Sequence, residues 1–273
     1  DCELVIIDNG STDDTQGLVS AAAAQDPRIR YVPEPQPGIG RARSAGLKAA
    51  RGDILVFTDD DVLVPPTWIA NLTLPIRDGT AAAVAGGIMI AEDLRRPWLT
   101  PGLAARYYAH SPEPPAEGPG LIGANMAVRR EVARNFDFDD ALGTPEYPGA
   151  EDVLFYVQVK EAGWPIRGVA DALVEHHFDP ARLALDRMEA LAEGYGRCDA
   201  YFFHHWLHAS FRWPLARIAV HRLLLLARLV AVRGDRRDER VLQLRREVAF
   251  HREMRTLRGV PRRYAYRGAR VGL

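Results

Sequence analysis

A mostly parallel, doubly wound α/β sheet followed by a helical C-terminal region is the fold this sequence predicts, and three observations predict it. Within the first 60 residues short apolar runs alternate with helical stretches over short connections, the β-α-β-α-β order of a parallel sheet with helices on both faces. Residues 54–57, Ile-Leu-Val-Phe, form an unbroken apolar run, which suits a central strand covered on both sides. From residue 181 onward only helical periodicity is found. A division into residues 1–180 and 181–273 follows.

The 273 residues are 47% hydrophobic and 26% charged, the composition of an ordinary globular protein. The formal net charge of −1 hides an asymmetry: residues 233–273 hold 13 Arg against 5 acidic side chains. Two cysteines, Cys2 and Cys198, give neither metal-ligand spacing nor a disulfide framework, and a reducing, cytoplasmic compartment is expected. No apolar run approaches the ~20 residues that span a bilayer.

In order, residues 3–7 read as a strand, with Ser11 or Thr12 able to cap a helix running to about residue 25. A second strand is expected over Ile29–Pro33. A Pro-Gly loop then leads to a helix over residues 41–50 that stops at Gly52. After the organising strand, Pro65 and Pro66 open a helix to about residue 76. Residues 81–90 read as a strand with a Gly86-Gly87 bulge. Residues 95–119 hold six prolines and no period, so an irregular crossover is expected. Residues 121–128 read as a short strand pair, residues 144–150 as a loop, residues 151–162 as a helix and residues 166–178 as a strand. Helices follow over residues 182–209, interrupted near Gly194 and Gly196, then over residues 215–232 and 235–258, with a loose tail.

The chemistry-bearing stretch is Asp59-Asp60-Asp61 at the C-terminal end of the central strand, where open α/β sheets bind ligands. On an extended chain Asp59 and Asp61 share a face and Asp60 points away. Two converging carboxylates repel each other, and a hard divalent cation relieves the repulsion. A solvated acidic turn is the bland alternative.

Four pieces in order, Asp8-Asn9-Gly10-Ser11-Thr12-Asp13, the helix-strand unit over residues 41–61, Gly123-Ala124-Asn125 and Glu151-Asp152, together resemble the family 2 glycosyltransferases. The resemblance covers roughly residues 1–179. It implies the Rossmann-like GT-A fold and an inverting transfer of one sugar from a nucleoside-diphosphate donor to an acceptor hydroxyl. Glycans, lipid-linked molecules and small molecules are candidate acceptors, in cell-surface polysaccharide, glycolipid or glycoconjugate synthesis. It further implies Asp152 as general base with Glu151 beside it. Asp8, Asn9, Ser11, Arg43, Asp59, Gly123 and Asn125 would contact or shape the donor site. Mn2+ or Mg2+ would bind Asp61 and Asp59, with His176 as a third ligand. Asn9 and Ser44 depart from the family pattern, which has Asp and Asn there. The family's first strand would precede Asp1, and an N-terminal piece is therefore expected to be missing. Gln-x-x-Arg-Trp and membrane-spanning helices, the marks of processive synthases in this family, are not found, so transfer of a single sugar is expected.

The His204, His205 and His208 cluster has helical spacing and reads as a packed or solvated face rather than a metal site. The apolar helix over residues 215–232 carries Arg217, His221 and Arg228 on one stripe; it either packs on its neighbours or lies at a membrane interface. Peripheral contact with the inner face of the cell membrane through the basic C-terminal helices is one expectation. Nucleic acid is not expected, because no stacking aromatics are interleaved with the basic residues. Two other functions compete: a sugar-phosphate nucleotidyltransferase on a similar sheet, and a non-catalytic nucleotide-sugar-binding module, the latter suggested by Asn9 and Ser44.

Overall fold

The computed structural model of the protein describes residues 2–118 and 120–266. In chain order the elements are β1 (Leu4–Asp8), α1 (Thr15–Gln25), β2 (Ile29–Pro33), α2 (Ile39–Ala49), β3 (Ile54–Thr58), β4 (Val62–Leu63), α3 (Trp68–Arg77) and β5 (Ala83–Ile90). They continue with α4 (Pro101–Tyr108), β6 (Asn125–Arg129), α5 (Arg130–Asn135), α6 (Glu151–Glu161), β7 (Ile166–His176), α7 (Leu185–His205), α8 (Pro214–Ala231) and α9 (Glu239–Thr256).

The chain divides into two compact units. One comprises Asp1–Ile88, Pro112–Pro145 and Glu151–Val174, the other Met89–Ser111, Glu146–Ala150 and Glu175–Leu273. The helical C-terminal region therefore recruits two earlier segments of the chain into its unit.

In the first unit β1 and β2 pair in parallel, from Leu4 opposite Ile29 to Asp8 opposite Pro33. A five-stranded sheet has the order β3-β6-β5-β7-β4. In it β6 runs antiparallel to both β3 and β5, so this sheet is mixed rather than mostly parallel. Strands β5 and β6 are buried almost throughout, as expected of strands flanked on both edges. The core beside them joins Leu47 of α2, Leu55 of β3, Met126 and Val128 of β6 and Phe155 of α6. Phe138 stacks on Phe155 with ring centroids 4.5 Å apart and meets Phe57 edge-on at 5.6 Å. Burying each such side chain contributes about 1.5–3 kcal/mol, and together they fix the strand ends that carry the acidic residues.

Three local expectations change. The Pro-rich stretch over residues 95–119 contains a helix, α4, because Pro101 stands in its first turn and costs no hydrogen bond there. Thr100 caps it, its hydroxyl accepting from Leu103 N–H at 3.2 Å. The caps expected at Ser11 or Thr12 are replaced by turns in which Asp8 Oδ1 accepts from Ser11 N–H and Asp13 Oδ1 accepts from Thr15 N–H. The third change is in α7, which runs unbroken through Gly194 and Gly196. These glycines permit close packing rather than a break: a Cβ on Gly196 would lie 2.2 Å from the Arg246 carbonyl oxygen of α9.

The second unit's core gathers Leu103, Tyr107 and Tyr108 of α4 with Phe178, Met188 and Leu242. Helices α7 and α9 are tied by ion pairs from Arg246 to Asp199 and from Arg245 to Glu189. The Gly196→Ala variant must push α9 off α7, and a loss of about 1–3 kcal/mol in urea-unfolding free energy is expected.

Candidate active site

The site is assembled in the first unit from the end of β3, the buried face of α2, the loop before β6 and the first turn of α6. β3 ends at Thr58, and Asp59 follows it directly. Asp60 and Asp61 form a turn into β4 rather than a continued strand. Strict alternation therefore does not orient all three, but the outcome is similar: Asp59 and Asp61 are half-buried and Asp60 is exposed.

Arg43 joins the pieces. It lies on α2 among the buried positions Gly40, Ser44 and Leu47, so its guanidinium enters the protein rather than solvent. Nη2 donates to Asp59 Oδ1 at 3.1 Å, and Nη1 pairs with Glu151 Oε1. Burial alone would lower its pKa, but Glu151, Asp59 and Asp152 hold it above the ordinary arginine value. Gly123 makes the space: a Cβ there would lie 1.9 Å from Arg43 Cζ. The same glycine's N–H donates to Asp152 Oδ2 at 3.1 Å, and Val153 N–H donates to Asp152 Oδ1 at 2.8 Å. Both carboxylates stand in the first turn of α6, where the helix dipole favours negative charge. Glu151 is only 4% exposed. Burial and the neighbouring charge of Asp152 push its carboxyl up to about 7, against the opposing pull of Arg43.

The remaining expected residues have the following surroundings. Asp8 ends β1, where its Oδ2 accepts from the Tyr31 hydroxyl at 2.6 Å and its Oδ1 from Ser11 N–H at 2.8 Å; these bonds hold its carboxyl below the usual range. Ser11 is exposed beside it. Asn9 staples the following loop: Nδ2 donates to the carbonyls of Glu34 and Gln36, and Oδ1 accepts from Gly38 N–H. Ser44 is buried and donates to the Phe138 carbonyl at 3.2 Å. Both departures from the family pattern thus have structural roles.

Asn125 is a correction. It is 0% exposed, and its side chain bonds inward. Oδ1 accepts from the Trp68 indole at 2.9 Å, while Nδ2 donates to the carbonyls of Gly87 and Ala172. It cross-links the sheet instead of lining a cleft. Gly86 leaves room for it, because a Cβ there would lie 2.2 Å from Asn125 Nδ2, and β5 runs on as a strand through Gly86 and Gly87.

His176 belongs to the second unit. Its Nδ1 lies 3.2 Å from the Tyr108 carbonyl and its ring meets Phe178 edge-on. His204 and His208 reach the carbonyls of Val260 and Tyr264, consistent with a packed face. Among the described residues no group of three or more His, Cys, Asp and Glu is placed to hold a metal ion. Asp59 and Asp61 supply hard oxygen donors, which fits Mg2+ or Mn2+ completed by substrate phosphates and water.

Residues 1–136 match the family model described as Glycosyl transferase family 2. The chain belongs to that family. Glucosyl-3-phosphoglycerate synthase of Mycolicibacterium paratuberculosis is 42% identical over 81 residues, 28% of this chain and 25% of that protein. The uncharacterized glycosyltransferase EpsJ of Bacillus subtilis is 29% identical over 113 residues, 41% of this chain and 33% of its own length. The chain thus spans a quarter to a third of these relatives. Among solved structures, the mannosyltransferase PcManGT from Pyrobaculum calidifontis, in complex with GDP-Man and Mn2+, superposes with a TM-score of 0.57 at 19% identity, covering 92% of this chain and 77% of that one. GalNAc-T7 with UDP, GalNAc and Mn2+ gives 0.51 at 19% identity, covering 76% of this chain and 42% of that one. These likenesses show the GT-A fold. The matched residues include Arg43 and Asp59 but end before Glu151.

Two outcomes test this electrostatic arrangement. Between pH 4.5 and about 7 the native chain holds a proton on Glu151 that the unfolded chain has released, so this group's contribution to stability falls as pH rises. Glu151→Gln flattens that slope in melting temperature against pH. Arg43→Leu leaves the carboxylates uncompensated, with an expected loss of about 3–5 kcal/mol in denaturant unfolding that widens with rising pH.

Proposed function

We propose that this family 2 glycosyltransferase moves one sugar from a nucleoside-diphosphate donor to an acceptor hydroxyl, with inversion at the anomeric carbon. The observation that carries the reading is the buried Arg43 bridge, which couples the acidic end of β3 to the Glu151-Asp152 helix start. Donor-side and acceptor-side carboxylates are thereby held at a fixed spacing.

In this reading Asp61 and Asp59 would hold Mg2+ or Mn2+, which would supply Lewis-acid neutralisation of charge on a diphosphate. The set does not draw on His176, whose ring is held inside the second unit. Asp8 and the exposed Ser11 bind the nucleoside at the end of β1. Each Asp152 oxygen already accepts one backbone N–H and keeps a further lone pair for a hydroxyl. Asp152 takes the acceptor's proton as the acceptor oxygen attacks the anomeric carbon. The bond from that carbon to the diphosphate oxygen breaks, and the nucleoside diphosphate leaves. Glu151 acts through Arg43 as a positioning residue. The acceptor is a glycan, a lipid-linked molecule or a small molecule.

Thermal-shift measurements with UDP, GDP, dTDP and CDP, each with and without Mn2+, test the donor half. One nucleotide is expected to stabilise the chain in a metal-dependent way, and Asp61→Ala is expected to abolish that shift. Asp152→Ala is expected to keep the nucleotide shift but to lower transfer roughly 10²- to 10⁴-fold. Full turnover by Asp152→Ala overturns its role as base, and release of pyrophosphate from a nucleoside triphosphate would assign the chain to nucleotidyl transfer instead.

A further inference from the structure

Helix α8 buries only Ile218 completely. Its contact with α9 occupies one side, and the other side is bare. Leu215, Val220, Leu223, Leu224, Leu226 and Val230 are between 46% and 81% exposed, and Trp213 just before the helix is 74% exposed. At 3.6 residues per turn these side chains occupy an arc of roughly half the circumference. No Asp or Glu occurs anywhere in α8. Exposed Arg217 and Arg222 fall just outside the two edges of that arc, and exposed Arg212 and Arg233 flank the helix. Apolar exposure on this scale marks an interaction surface, and no helix of the described residues is long and apolar enough to cross a membrane.

A second observation lies beside it. A cleft of about 340 Å3 is lined by Ile218 of α8 and by Arg252, Arg255 and Thr256 of α9. Three other arginines of these helices are committed: Arg228 to Asp238, Arg245 to Glu189 and Arg246 to Asp199. Arg252 and Arg255 form no ion pair with a carboxylate among the described residues, so the cleft offers two guanidinium groups to an anion.

We infer that α8 docks this chain on an anionic phospholipid leaflet. Its leucine and valine face enters the acyl boundary, Arg217 and Arg222 rest at headgroup level, and the Arg252-Arg255 cleft takes a lipid phosphate. An apolar arc edged by arginine, with Trp at one end, is the pattern of a helix lying in the interfacial plane. Charge decides against a second copy as the occupant. Two α8 faces meeting across a twofold axis bring the arginine rims together with no carboxylate on either helix to pair them.

Flotation of the full chain with vesicles of phosphatidylcholine, alone or mixed with phosphatidylglycerol, tests the inference. Salt-sensitive binding to the mixed vesicles is expected, with little to phosphatidylcholine alone. Arg252→Ser/Arg255→Ser is expected to weaken binding by roughly fivefold per arginine, and Leu223→Ser/Leu226→Ser to weaken it at least as much. Both pairs are judged at unchanged melting temperature, because the substituted side chains are exposed. Equal binding to both vesicle types, no binding to either, or indifference to both pairs overturns the proposal. A concentration-dependent dimer in light scattering that Leu223→Ser/Leu226→Ser dissociates, without vesicle binding, overturns it in favour of a second copy. Vesicle binding is read without turnover, so its failure leaves the proposed transfer reaction untouched.

Discussion

One buried guanidinium organises the first unit. Taking Arg43 out of water carries a desolvation cost of several kcal/mol, offset only if its partners are close, charged and well aligned. Asp59 and Glu151 meet that condition from two elements far apart in sequence, and Asp152 adds a third negative charge to its surroundings. The arrangement also constrains the backbone, since Gly123 must lack a side chain for the guanidinium to lie against it. Gly123 in turn donates its N–H to Asp152. A single side chain thus couples the strand end, the loop before β6 and the first turn of α6.

Much of this was legible in the residues, for physical reasons. The apolar run at β3, the helix expected over residues 151–162 and the acidic turn are local patterns, and local patterns survive folding when tertiary contacts agree with them. The resemblance implies a donor-site role for Arg43, whereas its guanidinium lies buried between Asp59 and Glu151. Its spacing from Gly40, Ser44 and Leu47 placed it on the inward face of α2, and that helical period was the signal available. Its partner Glu151, 108 residues away, had no local signature. The direction of β6 was equally closed to local reading, because strand pairing depends on contacts distant in sequence.

Small polar residues misled in an instructive way. Asn9 and Ser44 read as departures that weakened the nucleotide site, yet each satisfies backbone groups that the family's usual residue would meet differently. The Asn9 amide supplies two donors to loop carbonyls and one acceptor for Gly38 N–H. An aspartate cannot donate to those carbonyls. The loop between β2 and α2 is thus held by the residue that looked anomalous, and these two departures do not favour a non-catalytic module. Asn125 errs in the other direction. The resemblance implies a donor-site contact for it, whereas its inward hydrogen bonding, with Gly86 cleared to admit it, makes it a cross-link of the sheet.

The two adjacent carboxylates of α6 divide their work by environment rather than by chemistry. Glu151 is buried and paired with Arg43, and burial with the neighbouring Asp152 pushes its carboxyl up to about 7. A group so enclosed is poorly placed to exchange protons with an incoming hydroxyl, but it adjusts the local charge that Asp152 experiences. Asp152 is more open and is bonded to Gly123 and Val153 through backbone donors, which leave further lone pairs on its oxygens. Protonation of Glu151 removes a like charge beside Asp152 and weakens one partner of Arg43, shifting the guanidinium's pairing toward Asp59. The proton on Glu151 is therefore linked electrostatically to both ends of the cluster, the acidic strand end and the proposed base, although Glu151 itself need never touch the acceptor.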